Sequence, residues 1–102
     1  MAALYVAEFV SIAGSSNFQV AGAQVAPIQE QTIAIGGSST PCSLAFNSQT
    51  TFVRLHTDAI CSIAFGTAPT ATIAKMRMAA NQTEYFGIAP GSNYKVAVIT
   101  NT

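Results

Sequence analysis

Glu84-Tyr85-Phe86-Gly87-Ile88-Ala89-Pro90-Gly91-Ser92-Asn93-Tyr94-Lys95-Val96-Ala97-Val98-Ile99 is the stretch that decides the fold. Two strand-forming runs, Glu84 to Ile88 and Tyr94 to Ile99, flank a Pro-Gly pair. Proline presets the backbone angle at the first central position of a turn and glycine accepts a positive φ at the second, so the pair reads as a turn between strands. Upstream, Thr51 to Thr57 gives the clearest alternation in the chain. Thr51, Val53, Leu55 and Thr57 share one face and Phe52, Arg54 and His56 the other, the period of a half-buried strand.

The same reading extends outward. Thr57-Asp58-Ala59 turns the chain into a strand from Ile60 to Phe65. Gly66 to Ala74 reads as an exposed loop, and Lys75-Met76-Arg77-Met78 alternates charge with methionine. Toward the N-terminus, Cys42 to Phe46 is expected as a short strand between the breakers Gly36 to Pro41 and Asn47-Ser48-Gln49. Ile28 to Ile35 sets Ile28, Glu30, Thr32 and Ala34 against Gln29, Gln31, Ile33 and Ile35. Leu4 to Val10 sets Tyr5, Ala7 and Phe9 against Leu4, Val6, Glu8 and Val10. Gly14 to Asn17 is a turn signal, Phe18 to Val20 begins a weaker strand, and Gly22 to Ala26 is a candidate helical turn. Short strands at roughly ten-residue spacing with Gly/Pro/Asn/Ser punctuation predict an all-β protein. The expectation is a single antiparallel β-sandwich or jelly-roll-like domain over residues 1–102.

Composition narrows the function. The chain has 102 residues, of which 50% are hydrophobic and only 8% charged, against about 25% charged in ordinary soluble proteins. Four basic residues (Arg54, Lys75, Arg77, Lys95) balance four acidic ones (Glu8, Glu30, Asp58, Glu84). Four dispersed cations do not make a phosphate-binding face, so no nucleic-acid partner is expected. No apolar run approaches the roughly 20 residues of a bilayer span, and no basic segment leads into an export signal, so neither a membrane nor secretion is expected. Cys42 and Cys61 each precede an apolar run and read as buried free thiols acting as small hydrophobes.

Chemistry finds little support. His56, Asp58 and Ser62 are the nearest approach to a nucleophile–base–orienter set, but nothing around them resembles an oxyanion site and Asp58 stands in a turn. One histidine and two separated cysteines lack metal-ligand spacing. Gly36-Gly37 lacks the Lys of a phosphate loop, and Glu8, Glu30 and Glu84 carry no spacing that pairs them. No catalytic residue, metal or cofactor is therefore expected, and the chain reads as no enzyme. Arg54, Arg77, Tyr85 and Phe86 are the candidate interface residues, since arginine and aromatic side chains are enriched at protein contacts.

Phe52 to Gly66, then Met76-Arg77-Met78, Glu84 to Ile88 and Gly91 to Ile99, resembles small virion proteins of tailed bacteriophages. Those proteins carry a similar order of a V-R-x-x-x-D strand, an Ala/Thr loop, a polar strand, an E-Y-F-x-V-x-P-G segment and a V-A-V-I ending. The resemblance covers Phe52 to Thr102, about half the chain, and carries no functional residue across. It implies a virion structural protein, made in the host cytoplasm and acting as a capsid decoration or cement protein on the head shell. Its partners would be the major capsid protein or other virion proteins. A surface so poor in charge further predicts a homo-oligomer, a trimer or dimer. The alternatives are a fibre, spike or neck component, or a carbohydrate- or ligand-binding β-module with aromatics around a groove.

Overall fold

A computed structural model describes residues 2–14, 19–23 and 25–101. The strands are β1 (Ala3–Phe9), β2 (Ile12–Gly14), β3 (Gln19–Ala23), β4 (Gln29–Ala34), β5 (Thr40–Pro41), β6 (Phe52–Thr57), β7 (Cys61–Gly66), β8 (Met76–Met78), β9 (Thr83–Gly87) and β10 (Lys95–Thr100). They form two four-stranded antiparallel sheets, β4-β1-β6-β9 and β5-β10-β7-β8, packed face to face, while β2 and β3 pair only with each other. The protein is an all-β sandwich.

The alternations seen in the sequence become its layers. Leu4 and Val6 of β1, Ile33 of β4 and Val53 and Leu55 of β6 face Cys61 and Ile63 of β7 and Val96 and Val98 of β10 across a closed core. Pro90-Gly91 forms the expected turn, with Gly91 at φ 75° and the Ser92 amide donating to the Ala89 carbonyl at 3.1 Å. Asn81 and Asn93 take the two other described left-handed positions, which asparagine tolerates better than most side chains.

Three local expectations change. Cys42 to Phe46 is no ladder strand: pairing beside β10 is confined to Thr40–Pro41. Beyond it the Cys42 and Phe46 amides still donate to Val96 and Tyr94, at 2.9 and 2.8 Å. Between them Leu44 turns to the other sheet, donating to Gln31 Oε1 at 3.0 Å and accepting from Gln31 Nε2 at 2.9 Å. The Gln31 amide thus replaces a strand neighbour and ties the sheets together. Gly22 and Ala23 lie in β3 instead of a helical turn; the Ser15 to Phe18 part of the early turn and strand readings falls outside the described residues. The loop after Gly66 is exposed over most of its length but anchored. The Ala71 amide donates to Ser39 Oγ at 2.8 Å, and Asn101 Nδ2 reaches both the Ile73 carbonyl at 3.2 Å and Ser62 Oγ at 2.7 Å. Ala97 and Ser62 point away from the core yet are fully buried. The loop therefore lies across the outer face of the second sheet, where small side chains leave room for it.

One end of the sandwich holds an unusual group. Glu8 alternates in phase with Leu4 and Val6 and is fully buried. Its carboxylate accepts from Thr50 Oγ1 at 2.8 Å, from the Asn47 amide at 2.7 Å and from Gln29 Nε2. A buried charge is tolerated when its oxygens are hydrogen-bonded, and here three donors from two segments supply those bonds.

Candidate binding face

Among the described residues, no loop is tied across the outer face of the first sheet as the 67–75 loop is across the second. Antiparallel register sets the first sheet's side chains in rows. Glu30, Ala7, Arg54 and Tyr85 form one row across β4, β1, β6 and β9, and Thr32, Tyr5, His56 and Thr83 form the next. Phe9 and Phe52 follow, their rings stacked at 5.3 Å, and Phe52 meets Tyr85 at 6.2 Å.

Ala7 opens a gap between the long side chains on either side of it. Tyr5, Ala7, Glu30, Thr32, Arg54 and His56 line the resulting open groove of about 440 Å3. Tyr5 is 44% exposed and tilts against His56, centroid to centroid 6.4 Å. The His56 ring is held by its Nδ1, 2.7 Å from Thr83 Oγ1, which leaves Nε2 for the groove. Arg54 is half-buried, and neither its side chain nor that of Glu30 has a hydrogen-bond or ion-pair partner among the described residues.

Of the four candidate interface residues, two come together. Arg54 and Tyr85 stand opposite each other on this face. Arg77 lies on the second sheet, exposed on β8 opposite Ser62. Phe86 points inward, its ring 5.1 Å from Phe65 and packed on the core, so it offers little surface to a partner. Met78 is buried opposite Cys61, whereas Met76 at the strand's start is exposed.

His56, Asp58 and Ser62 do not meet. His56 is on the outer face of the first sheet, Asp58 is exposed in the following turn, and Ser62 is buried in the second sheet against Asn101. Glu8 is interior and Glu30 is on the outer face of the same sheet, while Glu84 accepts from Gln82 Nε2 at the edge strand. Among the described residues no three His, Cys, Asp or Glu side chains converge as a metal cage. Cys42 and Cys61 are free and buried, and burial pushes both thiols above their ordinary pKa.

Sequence reasoning found Arg54 and Tyr85 but passed over Tyr5, Thr32 and Glu30. The strands' own pattern does not single them out: Tyr5 shares its phase with Ala7 and Phe9 while Glu8 lies in the other, and in β4 Gln29 and Gln31 are as polar as Glu30 and Thr32. What was missing is the strand order that sets β4, β1 and β6 side by side. Compared with known protein families, curated proteins and solved structures, the chain has no match.

Proposed function

We propose that this chain is a structural component of a phage virion, a decoration protein that attaches to the head shell through its β2–β3 arm and stabilises it. The observation that carries the reading is that arm. β2 and β3 form a two-stranded sheet of their own, and an isolated hairpin is marginal in water without further surface to pack on. No charged residue occurs between Glu8 and Glu30, the stretch that contains the arm. A separate two-stranded sheet in an uncharged stretch suits a docking element. Repetition over a lattice turns many weak contacts into firm attachment, and contacts made only in the assembled shell add to its stability. The resemblance of Phe52 to Thr102 to small phage virion proteins supplies the shell as the partner. Copies associate as a trimer or dimer through free sheet edges, of which β8 and β9 are two.

The test is co-sedimentation of purified protein with shells, for the intact chain and for a variant in which residues 12–23 are replaced by a short Gly-Ser linker. The intact chain is expected to bind at lattice positions visible by cryo-electron microscopy, and the armless variant to stay in the supernatant while melting within a few degrees of its parent. Binding by the armless variant, or no binding by either, overturns the proposal. Analytical ultracentrifugation checks the oligomer.

A further inference from the structure

The geometry points to the groove on the outer face of the first sheet as a binding site for a neutral saccharide. The residues that line it belong to β1, β4 and β6.

Several features select that ligand. Tyr5 presents an exposed ring at the groove wall, with Tyr85 exposed beyond Arg54. The C–H faces of a pyranose carry slight positive charge and lie favourably on the negative face of an aromatic ring. Between Glu30 and Arg54, Ala7 leaves room for a sugar ring beside Tyr5. Arg54 and Glu30 stand on either side of Ala7 in one row, their side chains without partners among the described residues. Two strand spacings place their backbones about 10 Å apart. One offers donors and the other acceptors, so vicinal hydroxyls, which both donate and accept, can satisfy both at once. His56, fixed by Thr83, and Thr32 add polar atoms at the far wall. The volume of about 440 Å3 falls within the roughly 300–1,000 Å3 of small-ligand sites.

Other ligand classes fit less well. An anion gains Arg54 but meets Glu30, and the two charges cancel over the groove. A nucleic acid needs a row of cations, and the groove holds one. An extended peptide binds by hydrogen-bonding a strand edge, whereas this groove lies on a sheet face.

The experiment is a titration of the isotope-labelled intact protein, followed by amide shifts in two-dimensional NMR. The probes are maltotetraose, cellotetraose and chitotetraose, with sialyllactose and an acidic peptide as separate arms. At least one neutral oligosaccharide is expected to shift the amides of Tyr5, Ala7, Arg54 and His56 together, saturating in the millimolar range. Tyr5→Ala should weaken that binding about tenfold or more, and Ala7→Leu should abolish it by filling the gap. Tyr94→Ala, an exposed aromatic remote from the groove, should leave it unchanged. A dispersed spectrum shows that each variant is folded, and should Ala7→Leu fail there, Arg54→Gln replaces it with the same expectation of weakened binding. The inference is overturned if no neutral saccharide shifts these amides, if the groove variants bind as tightly as the parent, or if sialyllactose or the peptide binds in preference. Because no shell is present, failure here leaves attachment through the arm standing, and failure of attachment leaves the groove standing.

Discussion

Removing the carboxylate of Glu8 is expected to destabilise the sandwich by about 3 kcal/mol. In Glu8→Ala, Thr50 Oγ1, the Asn47 amide and Gln29 Nε2 lose their common acceptor. Thr50 is fully buried, so its hydroxyl bears most of the cost of an unpaired buried donor, about 1–3 kcal/mol. Asn47 and Gln29 are half-buried and recover water in part, about 1 kcal/mol being lost at each. Relief from burying a charge offsets some of the sum. For a domain of this length, holding about 5–15 kcal/mol in all, the loss lowers the midpoint temperature by about 12–24 °C. Glu8→Gln keeps one acceptor oxygen but turns an amino group toward Gln29, and should cost about 1–2 kcal/mol. The sharper test is a double-mutant cycle with Thr50→Val. With Glu8 present, Thr50→Val removes a made hydrogen bond and destabilises by about 1 kcal/mol; in the Glu8→Ala background it removes an orphan hydroxyl and costs nothing or stabilises. Equilibrium urea denaturation followed by circular dichroism and tyrosine fluorescence measures all four proteins. If Glu8→Ala lies within about 0.5 kcal/mol of the parent, or if Thr50→Val costs the same in both backgrounds, the carboxylate does not organise this end of the sandwich.

Three further outcomes are expected. Cys42 and Cys61, both buried, should react with a thiol reagent only at the rate of unfolding. Burial raises both pKa values in the folded state, so the stability they contribute is whole below the ordinary thiol value of about 8.5 and is lost as pH rises through the folded values; urea midpoints should fall on that alkaline side, and less so in Cys42→Ala/Cys61→Ala. Gly91→Ala should cost about 1–2 kcal/mol in denaturant melts, because its φ of 75° is strained for a residue with a Cβ. Asn101→Ala should free the loop at Ile73 and Ser62, read as faster limited proteolysis between residues 67 and 75 with little change in circular dichroism.

How far the sequence could be read depended on whether a residue's partners lie along its own strand. β6 was legible in full: Val53, Leu55 and Thr57 are buried and Phe52, Arg54 and His56 face outward, as period-2 alternation requires. The Ala89 to Ser92 turn was legible because Pro and Gly each have one geometric use there. Segment 42–46 was not, since its departure from a ladder rests on Gln31, which donates and accepts from another sheet. Glu8 was placed on its correct face, but two of its three partners, Asn47 and Thr50, lie about forty residues away in a turn that no local pattern connects to it. The groove was half legible. Arg54 and Tyr85 stood out by residue type, while Tyr5, Glu30 and Thr32 acquire meaning only once strand order sets them beside Ala7.

The two outer faces of the sandwich are treated differently, and the contrast bears on where binding resides. On the second sheet, Ser62 and Ala97 are small enough for the 67–75 loop to lie across them, and both are fully buried. On the first sheet the equivalent positions carry Tyr5, Arg54, His56 and Tyr85, side chains too large for a strap to cross closely. A fold that needed only to shield its sheets would gain by covering both. Leaving tyrosines and a half-buried arginine open to water forgoes apolar burial worth about 25 cal/mol per Å2. An open face is ordinary for an antiparallel sheet, and a ligand in the groove would recover part of that burial. Tyr5→Ala should therefore stabilise the free protein or leave it unchanged while impairing ligand binding, a separation of stability from affinity that a purely structural role for Tyr5 does not produce. Paired melting curves with and without a groove-binding oligosaccharide measure both. A Tyr5→Ala variant that loses stability and affinity in parallel would make the tyrosine part of the scaffold and not part of a site.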